Sequence, residues 1–552
     1  MNTVFIAHDV RGSVVFFFFM FAAFLVPNHY QPWFNFYSEF SVFLGLFFFW
    51  VLARRNALVI GLPVYLIFSL LLVVWGQYFL TIIHSVETAW LVSFYLLSAV
   101  LAFMLGRQAG VIYSGAIGFL ALGVISSGIA LGQWFDTWEA IWLLTPGAGA
   151  RATANIGQAN HLVTLLGLGL ASALWLNYKR CISGWMLAVV TVWLVVGMIL
   201  AASRMALLQY VLIGVLWFYW GGLRGGLVFF AYLLGGLVLV LGAARQADLA
   251  VAFYLVEPGS AVGVYDRFAS TERLHIWWQL IQASWDKGGL GYGWAQVAAA
   301  QVDYALAYPV AMFTLHSHNI VVDMLVWNGV YIGGVAVVLF VAWLIRVFWC
   351  VRDLDSAFAA LCVAIIGIHA LLEYPLEYSY FLIPFFLYLG YLGGKGYKLR
   401  LVPFFLGGAA FCFFLIVVCR DYRVLEVDFR NLRFEMARVG VTEYSSPDNS
   451  YFFLMGMSSF IDFMRMQLPG SLDERAAEAE RLVYSYPYVP AFYRYILILV
   501  EQGDFGKAAE MLERMRSMHG DQNYAGAIES LQQGAQNDSS LRAFLEFIDS
   551  KK

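Results

Sequence analysis

Long apolar stretches, repeated along most of the chain, constrain its fold more than any other feature of the sequence. A run of about 18 or more apolar residues can cross a bilayer as a helix. Hydropathy marks thirteen candidate spans, at 13–27, 36–53, 58–76, 90–106, 111–132, 161–176, 185–202, 205–220, 226–244, 320–345, 357–373, 378–393 and 401–419. We therefore expect an all-α, polytopic integral membrane protein with about thirteen transmembrane helices.

The charged residues divide the chain into two parts. Residues 1–419 contain 18 Lys and Arg and 16 Asp and Glu, about 8%, whereas 420–552 contain 15 and 20, about 26%, which is the proportion of an ordinary soluble domain. We expect a membrane body at 1–419, with a long loop at 245–319, and a soluble domain at 420–552.

The soluble part has the pattern of a helical repeat. PYVPAFYRYILILVEQGDFGKAAEMLERM (487–515) reads as two helices joined at a glycine turn, similar to one tetratricopeptide unit. ERAAEAERLVYSYP, just before it, could supply a preceding helix. This TPR-like domain is expected either to act as a docking module or to cap the membrane body.

Basic residues indicate the orientation in the membrane. Lys and Arg favour short cytoplasmic loops. With Arg11 inside, twelve basic residues of the body fall on the cytoplasmic side and six on the other, four of the six within 245–319. The first apolar run lacks a small-residue cleavage pattern and is interpreted as a retained span. We expect a bacterial inner-membrane protein with a cytoplasmic amino terminus and a periplasmic soluble domain.

Composition also excludes several classes of protein. A net charge of −3 excludes a strong electrostatic footprint for nucleic acid. Five cysteines in 552 residues exclude a disulfide scaffold. No charged residue lies clearly at the middle of a span, which argues against an ion-coupled transporter.

Polar residues with chemical potential collect in the connections predicted to lie outside. His316 and His318 flank a serine just before the tenth span, and an imidazole can act as a base near neutral pH. No cysteine-rich or acidic cluster completes a metal site with them, so neither a metal nor another cofactor is expected.

Two outside arginines are candidates for binding phosphate. Arg204 lies at the end of a predicted span on the outer face of the membrane, where short loops seldom contain basic residues. Arg273 lies in STERLHIWWQLIQASW (270–285), which reads as an amphipathic helix at the membrane interface, with Leu274, Trp277, Ile281 and Trp285 on one stripe. A guanidinium fork suits phosphate or pyrophosphate, although snorkelling or solvated arginines would look the same.

Two further motifs stand in outside connections. His369, Glu373 and Glu377 recur four residues apart, which predicts a single helical face offering a base and carboxylates beside Tyr374. An aromatic belt is the alternative for the tyrosine. GGLGYG (288–293) follows no strand, so a dinucleotide site is not expected, and a flexible substrate loop is the interpretation.

These motifs, in this order and topology, resemble a known family. HSHN at the end of a long outside loop, with arginines in SR and ERLHIW, is similar to the O-antigen ligase and O-antigen polymerase superfamily. PNHYQPWFNFYSE (27–39), EYPLEYSYF and a periplasmic tail resemble the PglL-type protein O-oligosaccharyltransferases within it. The resemblance covers most of the membrane body.

The resemblance implies an enzyme and a set of site residues. It implies metal-independent transfer of a preassembled oligosaccharide from undecaprenyl pyrophosphate to Ser or Thr hydroxyls of a periplasmic protein such as a pilin. His318 and Tyr374 are the implied catalytic residues. Residues expected to bind substrate are Arg204, Arg273, Gln158, Asn160, His316, Asn319 and Glu373.

Two other functions stay open at this point. The first is an O-antigen ligase that transfers the glycan to lipid A-core, against which the soluble tail and the early QPW segment argue. The second is a transporter or flippase of lipid-linked oligosaccharide, which the scarcity of charges within the spans disfavours.

Overall fold

The computed structural model describes residues 10–137, 143–144, 151–222, 226–252, 272–439 and 451–551. Nearly all regular structure in these ranges is α-helical, which confirms the expected class. A short antiparallel ribbon is the addition: β1 (Leu58–Ile60) pairs with β2 (Lys395–Tyr397), and Val59 lies opposite Gly396. Because β1 takes the first residues of the third candidate span, the helix of that span begins later than predicted.

The described helices, in chain order, are α1 (Arg11–Leu25), α2 (Phe36–Leu52), α3 (Leu62–Phe79), α4 (Val86–Leu105), α5 (Val111–Phe135), α6 (Ala159–Tyr178), α7 (Gly184–Leu200), α8 (Arg204–Tyr219), α9 (Gly226–Ala252), α10 (Glu272–Lys287), α11 (Val297–Tyr304), α12 (Ile320–Trp349), α13 (Leu354–Ala370), α14 (Ser379–Gly393), α15 (Leu401–Met436), α16 (Met455–Met464), α17 (Leu472–Ser485), α18 (Val489–Gln502), α19 (Phe505–His519), α20 (Asp521–Gly534) and α21 (Ser539–Ser550).

Every apolar segment marked in the sequence contains one of these helices. Seven of them, α3, α4, α5, α6, α9, α12 and α15, are long and apolar enough to cross a membrane. The other six, α1, α2, α7, α8, α13 and α14, have 15 to 17 residues. The protein is therefore an integral membrane protein, and the count of thirteen crossings stays a prediction.

One compact unit consists of the described parts of 1–68, 95–270 and 340–415. Its central helix is α6, of which 94% of the apolar window is buried. A helix that is apolar all round must be surrounded by other elements, and α6 packs against α5, α7, α8 and α13. Because the segment IGQANH leads into α6, this central helix fixes the position of Gln158 and Asn160.

Small residues allow close helix packing in the same unit. A Cβ on Gly390 in α14 would lie 1.9 Å from the carbonyl oxygen of Phe103 in α4. A Cβ on Gly106 would lie 2.5 Å from the carbonyl carbon of Gly390. The two backbones are thus in direct contact, as is common for helices packed in membranes.

The second compact unit consists of the described parts of 69–94, 271–339 and 416–552. It contains α10, α11, the first half of α12 and the helices α16–α21, which lie in the segment predicted to be soluble and are called the soluble part below. The predicted boundary at residue 420 falls inside α15, which continues to Met436. The proposed division at 419 and 420 stays a prediction.

The soluble part forms successive short helices, as the sequence indicated. Ser471 and Glu474 form a capping box at the start of α17. Gly503 ends α18 with φ of +81°, and Asp504 caps α19. The predicted helix–glycine–helix unit is therefore present at 489–519, whereas its assignment to the tetratricopeptide class stays a prediction.

Candidate active-site residues

Asn160, at the start of α6, makes three hydrogen bonds that join separate connections. Its amide nitrogen donates to Oε1 of Glu373 at 2.7 Å. Its amide oxygen accepts from the guanidinium of Arg151 at 3.2 Å and from the hydroxyl of Ser203 at 2.6 Å. These partners lie before α6, between α7 and α8, and after α13. Asn160 therefore joins three connections that the sequence placed on one membrane face.

Gln158 and Tyr374 form a second link between the same connections. Gln158 precedes α6 as its N-cap residue, and its side-chain amide donates to the phenol oxygen of Tyr374 at 3.1 Å. The ring of Tyr374 stacks on Tyr378 with 5.9 Å between centroids. Burial raises the pKa of Tyr374, so the phenol keeps its proton at neutral pH.

The residues joined in this way are referred to below as the Asn160 network: Arg151, Gln158, Asn160, Ser203, Glu373 and Tyr374.

Arg204 stands beside this network, as the first residue of α8. Ser203, the N-cap residue, accepts from the backbone N–H of Met205 while its hydroxyl donates to Asn160. The preceding Ala202 has φ of +45°, which turns the chain sharply into the helix. A half-buried guanidinium at a helix N-terminus adds its charge to the positive end of the helix dipole. This position suits an anionic group.

His369, Glu373 and Glu377 do not form the single helical face predicted from their spacing. α13 ends one residue after His369, and Pro375 begins a separate turn that ends at Glu377. A proline has no N–H to continue the helix and disfavours a helical residue before it. His369 is buried and its Nδ1 lies 2.8 Å from the hydroxyl of Thr164. It therefore belongs to the packing between α6 and α13, whereas Glu373 joins the Asn160 network through its bond to Asn160.

In the second unit, the HSHN segment is folded around the buried Ser317. The backbone N–H of Ser317 donates to Asp323 at 3.0 Å, and its hydroxyl donates to the carbonyl of Asn319 at 2.8 Å. The side chain of Asn319 accepts from the backbone N–H of Val321 at 2.9 Å. Asn319 therefore caps α12, which is the common role of an asparagine at this position.

The two histidines of this segment have different environments. His318 has φ of +59°, a left-handed conformation that residues with a side chain seldom adopt. Such strain is found at functional sites more often than elsewhere. Burial lowers the pKa of His316 to about 4. At neutral pH His316 is therefore a weak base, and it can offer hydrogen bonds without charge.

Arg273 lies in the first turn of α10, which confirms the helix predicted for this segment. The helix packs on its own unit through Ile276, Leu280 and Ala283, which are buried. Leu274 and Trp285 of the predicted stripe are exposed, together with Trp278. This exposed apolar stripe is the pattern expected of a helix at a membrane interface.

α10 is also joined to the HSHN segment. The indole nitrogen of Trp277 donates to the carbonyl of Ser317 at 2.7 Å. A one-turn shift of α10 would therefore break a bond beside His318.

The glycine-rich segment 288–293 fills a break in α12. Gly329 has φ of +75° and ψ of 160°, which interrupts the helix. The carbonyls of Val326 and Trp327 accept from the backbone N–H groups of Tyr292 and Gly293 at 2.8 and 3.2 Å. A Cβ on Gly291 would lie 2.3 Å from the nitrogen of Gly329. The segment is thus a packing element at the break in α12, and its interpretation as a flexible substrate loop stays a prediction.

The structure therefore gathers the predicted site residues in two sets. Gln158, Asn160, Glu373 and Tyr374 are joined by hydrogen bonds in the first unit, with Arg204 next to Ser203 in the chain. His316, His318 and Asn319 are contiguous in the second unit, which also holds Arg273. Among the described residues, no three His, Cys, Asp or Glu side chains are grouped as metal ligands.

Arg151 and Ser203 are network residues that the sequence analysis did not select. Arg151 carried a usable signal, because it is one of only six basic residues predicted outside. Ser203 carried none, since serine before a helix is usually only a cap.

The sequence is similar to one protein family and to individual known proteins. The family described as "Virulence factor membrane-bound polymerase, C-terminal" matches residues 357–533. The ComP-specific O-oligosaccharyltransferase of Acinetobacter baylyi is 25% identical over 525 residues, which cover 91% of this chain and 94% of that protein. The general O-oligosaccharyltransferase of the same organism is 28% identical over 400 residues, 67% of each chain. No solved structure matches the chain.

These matches support the resemblance of the chain to the PglL-type O-oligosaccharyltransferases of the O-antigen ligase and polymerase superfamily. Its similarity to the first relative spans both compact units, so the set around Asn160 and the HSHN set both lie within the shared region. The enzyme class is thus glycosyl transfer, and the relatives' names indicate protein O-glycosylation.

Proposed function

We propose that this protein transfers a preassembled oligosaccharide from undecaprenyl pyrophosphate to a Ser or Thr hydroxyl of a periplasmic acceptor protein such as a pilin. The observation that carries the proposal is the similarity over 91% of the chain to an O-oligosaccharyltransferase whose name describes it as ComP-specific. The soluble helical part adds support, because a periplasmic domain suits an acceptor outside the membrane.

The residues of the first unit are assigned to the donor. Arg204 binds the pyrophosphate and stabilises the charge that develops on it, since its fork can make two parallel hydrogen bonds to phosphate oxygens. The phenol of Tyr374, which keeps its proton, donates a hydrogen bond to the donor. Gln158 orients that phenol. Asn160 and Glu373 bond to each other, so both act by positioning Arg151 and Ser203 as well as by lining the site.

The residues of the second unit are assigned to the acceptor and to a second phosphate contact. His318 takes the proton of the acceptor hydroxyl while the oxygen of that hydroxyl bonds to the anomeric carbon of the glycan. The bond from that carbon to the phosphate oxygen breaks, and undecaprenyl pyrophosphate leaves. Arg273 binds phosphate at the membrane interface. His316 and Asn319 border the acceptor hydroxyl, His316 as a neutral hydrogen-bonding ring.

The proposed placement follows from the same assignments. The membrane body at 1–419 lies in the inner membrane of a bacterium with the amino terminus in the cytoplasm. The site and the TPR-like part at 420–552 lie in the periplasm. The reaction is proposed to need no metal, because the two arginines can carry the charge of the leaving group.

The test is transfer by the purified protein in detergent, with labelled lipid-linked oligosaccharide and a pilin-like acceptor. We expect a glycosylated protein product, detected as a mass increase on a Ser or Thr. His318→Ala should remove the product, whereas His275→Ala should retain it, because His275 is an exposed histidine on α10 with no assigned role.

Other outcomes would favour the alternatives. A product on lipid A-core but never on protein would identify an O-antigen ligase. Movement of the labelled lipid across vesicles without any transfer would identify a transporter. Normal glycosylation by His318→Ala would overturn the assignment of the base.

A further inference from the structure

The helix α11, in the loop that precedes the HSHN segment, is held at its C-terminal end by the soluble part. The last carbonyls of a helix have no partner within it. The guanidinium of Arg514, in α19, donates to the carbonyl of Val302 and to that of Asp303, the latter at 2.8 Å. The hydroxyl of Ser517, one turn further along α19, donates to the carbonyl of Ala305. These side chains cap α11 from outside it.

This contact also buries apolar side chains together with those of the soluble part. Val302 and Ala305 are fully buried and belong to the same apolar cluster as Met511 and Met515 of α19. The side chain of Arg514 is only 13% exposed and is also paired with Glu510 at 2.7 Å. An arginine that is oriented by a carboxylate and shielded from water holds its direction well. The contact between α19 and α11 is therefore buried and has a defined geometry.

The position of α11 is passed on to the segment before HSHN. Gln301, which is buried next to Val302, donates to the carbonyl of Met312 at 2.7 Å and accepts from the backbone N–H of Thr314 at 3.0 Å. The ring of Phe313, between these two, packs on Tyr488 with 5.4 Å between centroids. The chain is thus fixed at 312–314 by α11 on one side and by the soluble part on the other.

Two further bonds complete the connection to the histidines. The hydroxyl of Thr314 donates to the carbonyl of His316 at 2.6 Å. The next residue, Ser317, is tied to Asp323 of α12. The backbone immediately before His318 is therefore held both by an anchor that depends on the soluble part and by an anchor on α12.

We propose that the soluble helical part positions His318, and that Arg514 and Ser517 are the positioning residues through which it acts. The soluble part is then a component of the catalytic apparatus and not only a docking module for the acceptor. The proposal rests on the proposed function, because it takes His318 as the base. A displacement of about 1 Å at a reacting group can lower the rate ~100-fold.

The test compares Arg514→Met with Arg516→Met in the full-length protein. Both residues lie on α19, but Arg516 is exposed, and its described partners, Glu513, Asp521 and the ring of Tyr524, are all close to it in the chain. We expect Arg514→Met to lower kcat for transfer about 10- to 100-fold with little change in KM for the acceptor. Arg516→Met should behave as wild type. Arg514→Lys should recover part of the rate, since an ammonium can still donate to one carbonyl.

Hydrogen exchange supplies a readout that does not depend on activity. In Arg514→Met, and to a smaller degree in Ser517→Ala, the amides of 300–319 should exchange faster than in Arg516→Met. If the wild type transfers no glycan to protein, the proposed function fails while this exchange result still tests the contact.

Three results would overturn the proposal. One is unchanged exchange at 300–319 in Arg514→Met. Another is faster exchange with an unchanged kcat. The third is a rise in KM for the acceptor with kcat unchanged, which would make the soluble part a docking module only.

Discussion

Replacing Asn160 with aspartate changes one amide nitrogen into an oxygen and so replaces the donor of one hydrogen bond of the Asn160 network by an acceptor. In the wild type that nitrogen donates to Glu373 at 2.7 Å. In Asn160→Asp, two carboxylates face each other at this distance. The bonds that the other side-chain oxygen accepts from Arg151 and Ser203 are kept. The variant therefore isolates the contact between residues 160 and 373.

The magnitude follows from the distance. Two unit charges 2.7 Å apart repel by about 6 kcal/mol at an effective dielectric constant of 20. Two effects oppose this repulsion. An acidic residue in the first turn of α6 gains about 0.3–1 kcal/mol from the helix dipole, and the bond from Arg151 becomes stronger by about 1 kcal/mol. Because Asn160 is half-buried, part of the repulsion is screened. We expect a net loss of roughly 2–4 kcal/mol in stability.

Thermal unfolding in detergent and the transfer reaction measure the effect. Asn160→Asp should unfold several degrees lower than wild type and transfer poorly at pH 8. Its deficit should shrink as the pH falls, because a proton shared between the two carboxyls removes the repulsion and restores a donor. The double variant Asn160→Asp with Glu373→Gln exchanges donor and acceptor and should recover the stability.

The recovery of activity in the double variant distinguishes two roles of Glu373. If Glu373 acts by positioning, transfer returns with stability. If its carboxylate contacts substrate, stability returns without transfer. A double variant no more stable than Asn160→Asp would refute the argument that this contact governs the network.

Three further predictions concern other residues. Arg204→Lys should lower kcat/KM at least tenfold, because an ammonium cannot make the two parallel bonds of the fork; unchanged kinetics would remove Arg204 from the pyrophosphate site. Gly291→Ala should lower the unfolding temperature strongly, since its Cβ would meet backbone at 2.3 Å. Gly288 is also left-handed but has open space around it, so Gly288→Ala should lower the stability by only about 1 kcal/mol. Equal effects of the two substitutions would show that crowding at the break in α12 is unimportant. For His316, the folded pKa of about 4 lies below the unfolded value of 6.5, so the unfolded state binds a proton first as the pH falls. Stability should therefore decrease between pH 6.5 and 4 by up to about 3 kcal/mol, and His316→Gln should lack that part of the pH dependence.

The sequence predicted the helices of the membrane body closely because their signal is local. Each of the apolar segments contains a helix, and the boundaries differ by only a few residues for most. The exceptions have non-local causes. β1 replaces the start of the helix in the third segment. It could not be predicted locally, because its partner strand lies more than 300 residues further along the chain. α15 continues beyond the last apolar run, since hydropathy marks where a helix leaves the bilayer and not where it ends.

Some of the candidate site residues lie together in the structure, and their roles stay predictions. Gln158, Asn160, Glu373 and Tyr374 were chosen from separate motifs, and they form two hydrogen-bonded pairs, Gln158 with Tyr374 and Asn160 with Glu373. Ser203 was missed because its importance comes from its bond to Asn160, whereas Arg151 was missed although its place among the few basic residues predicted outside was a usable signal. The i, i+4 pattern at 369–377 misled because it assumed a helix that Pro375 does not allow.

By itself, the sequence determined the membrane class, the helical architecture and the resemblance to a family, because these depend on composition, hydropathy and short motifs. Tertiary structure decided which polar residues are partners. It showed that a glycine-rich segment plugs a broken helix, and that Arg514 caps a helix some 210 residues earlier in the chain. The physical reason is that hydropathy acts on each segment alone, whereas a hydrogen bond to a buried carbonyl exists only after the chain has brought distant residues within about 3 Å.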